Sequence, residues 1–230
     1  RVKGTLWYQG ENNTDRAQAY APLFRSMITD WRQQWQLADM PFYWVQLPNY
    51  RKAADTPTES PWATLRAAQN AALALPHTGQ AVTIDVGDAN DVHPHDKQTV
   101  AHRLALMALR NDYGQTEVYC DSPQPVEAHT DAEGNVMVSF DHVAQGLEAH
   151  GRYGYVNAFA LAGADGHYQW AQAEVVGRSQ VRLRTPRGMV PAKVRYAWAD
   201  NPDDANLYNT AGLPATPFEL KIDQQGPAPR

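Results

Sequence analysis

The sequence predicts a chain of two parts: a parallel, three-layer α/β sheet followed by an antiparallel, β-sandwich-like region. Three observations carry this. Up to Tyr113, short apolar runs alternate with longer stretches whose apolar residues recur at spacings of three and four. Beyond Tyr113 no helical pattern is found, and short alternating runs are separated by turn residues. The composition is that of an ordinary globular chain, 43% hydrophobic and 20% charged over 230 residues, long enough for one large domain or two smaller ones.

Residues 4–8 (GTLWY) are a short β-prone run, followed by a polar stretch at 9–15. Tyr20, Leu23, Phe24, Met27, Ile28, Trp31 and Trp35 then mark one face of a helix. Pro22 cannot lie deep inside that helix, so regular helix is expected to begin near it. Residues 41–48 (PFYWVQLP) read as a second strand bracketed by prolines, and the polar residues 49–60 as a loop. Residues 62–75 are Ala-rich and helical, with Leu65, Ala68, Ala72 and Leu75 on one face, and they end before Pro76 and Gly79. Residues 81–86 (AVTIDV) give a third strand, and after a loop at 87–94 a third helix runs to Tyr113 and stops at Gly114. Continuous apolar strands between amphipathic helices imply a parallel sheet covered on both faces. Three strands make a thin sheet where about four to six are usual, so further strands are expected upstream of Arg1.

In the second half, residues 136–140, 155–161, 174–176, 181–184 and 193–198 are the β runs, with turn signals at 133–135, 165–166 and 187–188. The expected domains are therefore 1–116, the α/β part, and 117–222, the β-rich part, followed by a flexible Gln/Pro/Gly-rich tail at 223–230.

Charge and composition exclude several classes. The net charge is -5 and no Lys/Arg run exists, so there is no electrostatic footprint for nucleic acid. No apolar run approaches the ~20 residues of a membrane helix. The lack of a signal pattern at the start excludes nothing, because Arg1-Val2-Lys3 runs directly into a strand-like run. Cys120 is the single cysteine, which rules out an intrachain disulfide. Seven Trp and eleven Tyr fit an aromatic core, or a surface on which sugar rings stack; composition favours the core.

Two loops hold candidate chemistry, and both follow strands. Ligands of open parallel sheets bind beyond the carboxyl ends of strands, so residues 9–13 and 88–95 should share one edge. In the first loop, Gln9 and Asn13 are amides of the type an oxyanion hole needs, and Gly10 allows close backbone approach. On chemistry alone, Asn13 reads as a cap for the following helix and Gln9 stays open between the two roles. In the second loop, His93 lies near Asp88, Asp91 and Asp96. It fits a solvated acidic loop in which Asp96 is a helix-terminus charge, a general base oriented by a carboxylate, or a metal site of Asp88, Asp91, His93 and His95 that matches no standard metal motif.

The stretch Trp7-Tyr8-Gln9-Gly10-Glu11-Asn12-Asn13 resembles an element of the sialate O-acetylesterases and related carbohydrate acetylesterases of the SGNH/GDSL hydrolase superfamily. The resemblance continues through Asp30-Trp31-Arg32, Val45-Gln46-Leu47-Pro48, Leu65-Arg66-Ala67-Ala68-Gln69, Thr83 to Asp88 and Val92-His93-Pro94. In the β-rich half it covers Val194 to Pro202 and Asn206-Leu207-Tyr208-Asn209, so it spans nearly the whole chain in order. It implies a flavodoxin-like esterase domain, His93 as catalytic base, and Asp91 as its partner, with Asp88 as rival or a serine–histidine dyad without an acid. It also implies that Gln9 and Asn13 serve the oxyanion or position the acyl group and that Glu11 organises their loop.

The family's nucleophile is a serine in a Gly-Gln-Ser-Asn-like element on the first strand of the domain, and no serine here has that context. Ser26 lies on a predicted helix, Ser60 precedes Pro61, and Ser122, Ser139 and Ser179 fall in the β-rich half. The thin sheet and the absent serine both lead to the expectation of an upstream segment carrying the nucleophile, without which these residues are inactive. The resemblance implies an O-acetylated sugar, sialic acid or another acetylated glycan, as substrate, with no cofactor and a periplasmic or secreted location. A non-catalytic carbohydrate-binding protein on the same scaffold is the alternative.

Overall fold

The computed structural model describes residues 2–223, and residues 224–230 of the expected tail lie outside them. The chain divides into two compact units, Arg1–Lys52 with Ser60–Asp121, and Ala53–Glu59 with Ser122–Arg230. The division thus falls after Asp121 rather than after residue 116, and a piece of the long loop, Ala53–Glu59, belongs to the second unit. Asp223, expected in the frayed tail, pairs in a β-bridge with His129.

The first unit alternates as the sequence predicts: β1 (Thr5–Trp7), α1 (Ala17–Gln34), β2 (Phe42–Val45), α2 (Pro61–Asn70), β3 (Thr78–Ala81) and α3 (Lys97–Asp112). The three strands form a parallel sheet in the order β1-β2-β3. Side chains of a strand alternate between faces, and β2 shows the consequence. Phe42 and Trp44 pack with Tyr20, Phe24, Ile28 and Leu65 of α1 and α2, whereas Tyr43 and Val45 pack with Val100, Leu104 and Met107 of α3. Both faces are covered, which is why β2 reads as one continuous apolar run.

Three buried arginines finish the sheet ends. Arg32 of α1 donates from Nε to Met40 O at 3.0 Å and from Nη2 to Pro76 O at 2.8 Å, on the side where β2 and β3 begin. Arg66 of α2, fully buried, donates from Nε to Leu47 O and from Nη2 to Pro48 O, each at 2.7 Å, just past the end of β2. Arg103 of α3 grips Asp85 with both ends of its fork, at 2.6 and 2.7 Å, and reaches Val82 O. A buried carbonyl without a donor costs free energy, and a guanidinium supplies several donors in fixed geometry.

The local differences from expectation have physical causes. Regular helix begins at Ala17, five residues before Pro22, and is preceded by a 3-10 segment, Glu11–Arg16. The bond that Pro22 cannot make would run to the carbonyl of Gln18, an exposed residue in the first turn of the helix. The third strand lies at Thr78–Ala81, not at 81–86. Gly79 reads as a turn signal, but here a Cβ would come within 2.6 Å of Met107 Sδ, so it is the close approach of α3 that calls for glycine. The ladder with β2 ends at Val45↔Ala81, after which the Thr83 hydroxyl donates to Gln46 O at 2.6 Å. Val82 and Ile84 are buried without being paired strand, which is what the apolar run registered. The second helix ends at Asn70 and continues as a 3-10 segment, Ala71–Ala74.

Among the described residues the regular elements of the second unit are strands: β4 (Gln124–Thr130), β5 (Val136–Asp141), β6 (Leu147–Ala149), β7 (Tyr155–Val156), β8 (Phe159–Ala162), β9 (Tyr168–Trp170), β10 (Ala173–Val176), β11 (Gln180–Leu183), β12 (Lys193–Tyr196), β13 (Leu207–Asn209) and β14 (Phe218–Lys221). They form antiparallel sheets in the orders β4-β5-β11-β10-β7, β14-β12-β8-β9 and β13-β6. The expected single strand at 155–161 is broken at Ala158, whose φ of 62° turns the chain from the first of these sheets into the second.

Replacing Arg66 with Ala strips the donor from Leu47 O in the buried interior. The expected result is a loss of about 2–4 kcal/mol in chemical denaturation followed by tryptophan fluorescence. Arg66→Lys should restore only part of it, because an ammonium cannot span two carbonyls as the fork does.

Candidate active site

The loop after β1 is built around Gly10, which is buried at φ 153°; a Cβ there would lie 2.8 Å from Leu65 Cδ2. Its carbonyl accepts from the Asn13 N–H at 2.8 Å, which starts the 3-10 turn. Gln9 is held on several sides. Its Nε2 donates to Asn13 Oδ1 at 2.7 Å, and the Tyr20 hydroxyl lies 3.1 Å from both its backbone and side-chain oxygens. Gln69 of α2, fully buried, donates to Gln9 O at 3.2 Å and to Val45 O at 3.4 Å, and accepts from the Leu47 N–H at 2.9 Å. One amide on α2 therefore ties the exit of β1 to the exit of β2.

The loop after β3 presents His93. Asp91 Oδ1 accepts the His93 backbone N–H at 2.8 Å and lies 3.2 Å from His93 Nδ1, while Oδ2 lies 3.3 Å from His95 Nε2. The backbone N–H of His93 is the largest influence holding the Asp91 carboxyl below the usual aspartate range, with His95 next. Asp88 is engaged elsewhere: its Oδ1 accepts from the Asn90 N–H at 2.7 Å, and its backbone bridges to Tyr50. Asp96 is the N-cap of α3, accepting from Thr99 N at 2.9 Å and Thr99 Oγ1 at 2.6 Å. Among the described residues, no three His, Cys, Asp or Glu side chains converge on a metal position.

The two loops meet, as their places after parallel strands require. An open cleft of about 630 Å³ is lined by Tyr8, Gln9, Glu11, Asn12 and Thr14 from the first and by Val92, His93 and Lys97 from the second. Gly10, Asn13 and Asp91 do not line it; they position the residues that do. The β2 exit adds Tyr50 and Arg51, and the first turn of α2 adds Trp62; none of the three carries a motif for this role in the sequence. Arg51 adopts φ 74°, an uncommon conformation for a side-chain-bearing residue. Its N–H donates to Ala89 O at 3.1 Å, and its guanidinium lies 5.7 Å from the ring centres of both Tyr50 and Trp62. The same strand-exit rule that selected Gln9 and His93 points to Tyr50 and Arg51 as well. Burial, and then the charge of Glu11, push the Tyr8 phenol up, so it stays a neutral donor in the cleft.

The geometry suits acyl transfer. A histidine whose Nδ1 faces a carboxylate keeps Nε2 for a nucleophile. Gln9 gives one N–H to Asn13 and has a second for a developing oxyanion. No serine lines the cleft. Ser60 is the N-cap of α2, accepting from Ala63 N at 2.9 Å, and is only 3% exposed.

Residues 1–110 match the family described as carbohydrate esterase, sialic acid-specific acetylesterase. The chain is 31% identical over 252 residues to the sialate O-acetylesterase of Mus musculus, a match covering 98% of this chain and 45% of that protein. To the Homo sapiens sialate O-acetylesterase it is 29% identical over 255 residues, covering 98% of this chain and 47% of that protein. A crystal structure of a carbohydrate acetylesterase from Xanthomonas citri superposes with a TM-score of 0.88 at 42% identity, covering 96% of this chain and 50% of that one. The chain thus spans about half the length of the relatives it matches.

Asp91 is expected to titrate below an ordinary aspartate in a carboxyl NMR titration. Its folded value is depressed, so the tie it gives the His93 loop is fully present above the ordinary aspartate range and is lost as pH falls through the lowered value. His95→Ala should move it part of the way back up; an unchanged value would remove His95 from the cluster.

Proposed function

The chain belongs to the sialic acid-specific acetylesterase family of carbohydrate esterases, and on that premise we propose that it carries the base and the oxyanion loop of an enzyme that removes O-acetyl groups from a sugar. The observation that carries the reading is the shared cleft of Gln9 and His93, with Asp91 against His93 Nδ1.

In this proposal a serine hydroxyl attacks the acetyl carbonyl while His93 Nε2 takes its proton. Asp91 holds the imidazole in the tautomer that presents Nε2 and balances the charge that forms. The carbonyl oxygen becomes an oxyanion facing the Gln9 amide, which Asn13 and Tyr20 hold in place. Collapse breaks the ester bond, and His93 returns the proton to the sugar oxygen. Water, deprotonated by His93, then releases acetate from the serine. The attacking serine is proposed to come from outside these 230 residues, since Ser60 caps α2, Ser26 lies within α1 and the other serines belong to the second unit. The substrate is proposed to be O-acetylated sialic acid or another acetylated glycan, and the location to be periplasmic or secreted.

In protein that includes the nucleophile segment, His93→Ala should slow acetate release from an aryl acetate and from O-acetylated sialic acid by about 10³-fold or more. Asp91→Asn should cost about 10²-fold or more, and Asp88→Asn should leave the rate within a fewfold. If Asp88→Asn is the crippled variant instead, the acid has been misassigned. The 230 residues alone should take no fluorophosphonate label; a labelled serine among them would overturn the proposed origin of the nucleophile.

A further inference from the structure

We propose that the β-rich unit carries a second ligand site, an aromatic-lined trough that binds an acidic oligosaccharide. The trough begins on the outer face of β11, β10 and β7 and continues along the chain that joins β7 to β8 and β9 to β10, as far as Trp170 and Asp204. Cross-strand register places Arg182 beside Glu174 and Glu174 beside Tyr155, and Arg184 donates its backbone N–H to Gln172 O at 2.9 Å. The residues between them, Val181, Leu183, Ala173 and Val156, are buried on the inner face, so this row points outward. A solvated sheet face of that kind is ordinarily featureless and charged. Here a hollow of about 330 Å³ adjoins a second of the same size, and the two share Tyr155 and Gln172.

Two rings flank these hollows. Tyr155 is 50% exposed and Trp170 45% exposed, large apolar faces left in water. Trp170 is held by its indole N–H, which donates to Asp55 O at 3.0 Å. Exposed rings beside hydrogen-bonding groups suit the apolar faces of pyranose rings, and Asn157 and Asp204 in the second hollow supply partners for hydroxyls. The first hollow adds charge. Arg182 is paired with Glu174, but the Arg184 guanidinium has no partner among the described residues. A free guanidinium fork beside a stacking ring fits a carboxylate carried on a sugar. This inference needs neither the esterase chemistry nor the His93 cleft.

The test is an amide and indole NMR titration of these 230 residues with sialyllactose, lactose and sodium acetate. Sialyllactose should give saturable shifts at Tyr155, Gln172 and the Trp170 indole, with lactose about tenfold weaker. Tyr155→Ala should weaken both sugars about tenfold, Arg184→Gln should make the two sugars equal, and His93→Ala should change neither. Absence of saturable shifts at these residues, or shifts unaffected by Tyr155→Ala, would overturn the site. Equal binding of the two sugars by the unaltered chain would overturn its preference for an acid. Acetate matching sialyllactose would reduce it to a bare anion contact and overturn the glycan reading.

Discussion

Where a parallel sheet ends, its strands leave the hydrogen-bonded ladder while still inside the protein, and their carbonyls need new donors. Helix α2 meets that need with two fully buried side chains, Arg66 and Gln69. Arg66 takes the carbonyls of Leu47 and Pro48, and Gln69 takes those of Val45 and Gln9 while accepting from Leu47. Gly10 permits this by letting the β1 exit press against Leu65 and Gln69 of the same helix. The position of Gln9 is therefore set from the core outward. A substitution at Gln69 would disturb the site without touching any residue that lines the cleft.

The histidine side is held differently. His93 and Asp91 are well exposed, with side-chain accessibilities of 78% and 44%, and an ion pair in such a setting contributes little to stability. Orientation here comes from the loop itself: the His93 N–H on Asp91, the Asp96 cap of α3 and the buried grip of Arg103 on Asp85. In the proposed reaction Asp91 would serve as a guide for the ring rather than as a stabilising contact. Its depressed titration has the same origin, a backbone donor aimed at its charged form.

Much of this was legible in the sequence. The alternation of apolar runs and helical periodicity gave the three layers of the first unit, because β2 is apolar on both faces and each helix on one. The likeness of the Trp7–Asn13 stretch and the His93-Pro94 pair to carbohydrate acetylesterases located the two loops that form the cleft. What escaped were features decided by tertiary contact. Gly79 sits in a strand where Met107 packs against it, Ala158 divides one apolar run between two sheets, and Pro22 lies within a helix one turn after the exposed Gln18. Arg51 carries no motif; its left-handed backbone and its place over Tyr50 and Trp62 exist only once the β2 and β3 exits are side by side. The sequence offered Asp91 and Asp88 as rivals, and only coordinates show Asp91 at His93 and Asp88 bound to its own turn.

In the proposed reaction the exits of β1 and β3 hold one oxyanion donor and one base around a single acetyl carbon. A crystal structure of protein that includes the nucleophile segment, trapped as a covalent phosphonate, tests it most directly. The Gln9 amide nitrogen should lie at about 2.7–3.1 Å from the phosphonyl oxygen and His93 Nε2 at about 2.6–3.2 Å from the bonded serine oxygen, with Asp91 still on Nδ1. A phosphonyl group bound away from Gln9, or a base other than His93 at the serine, would contradict it.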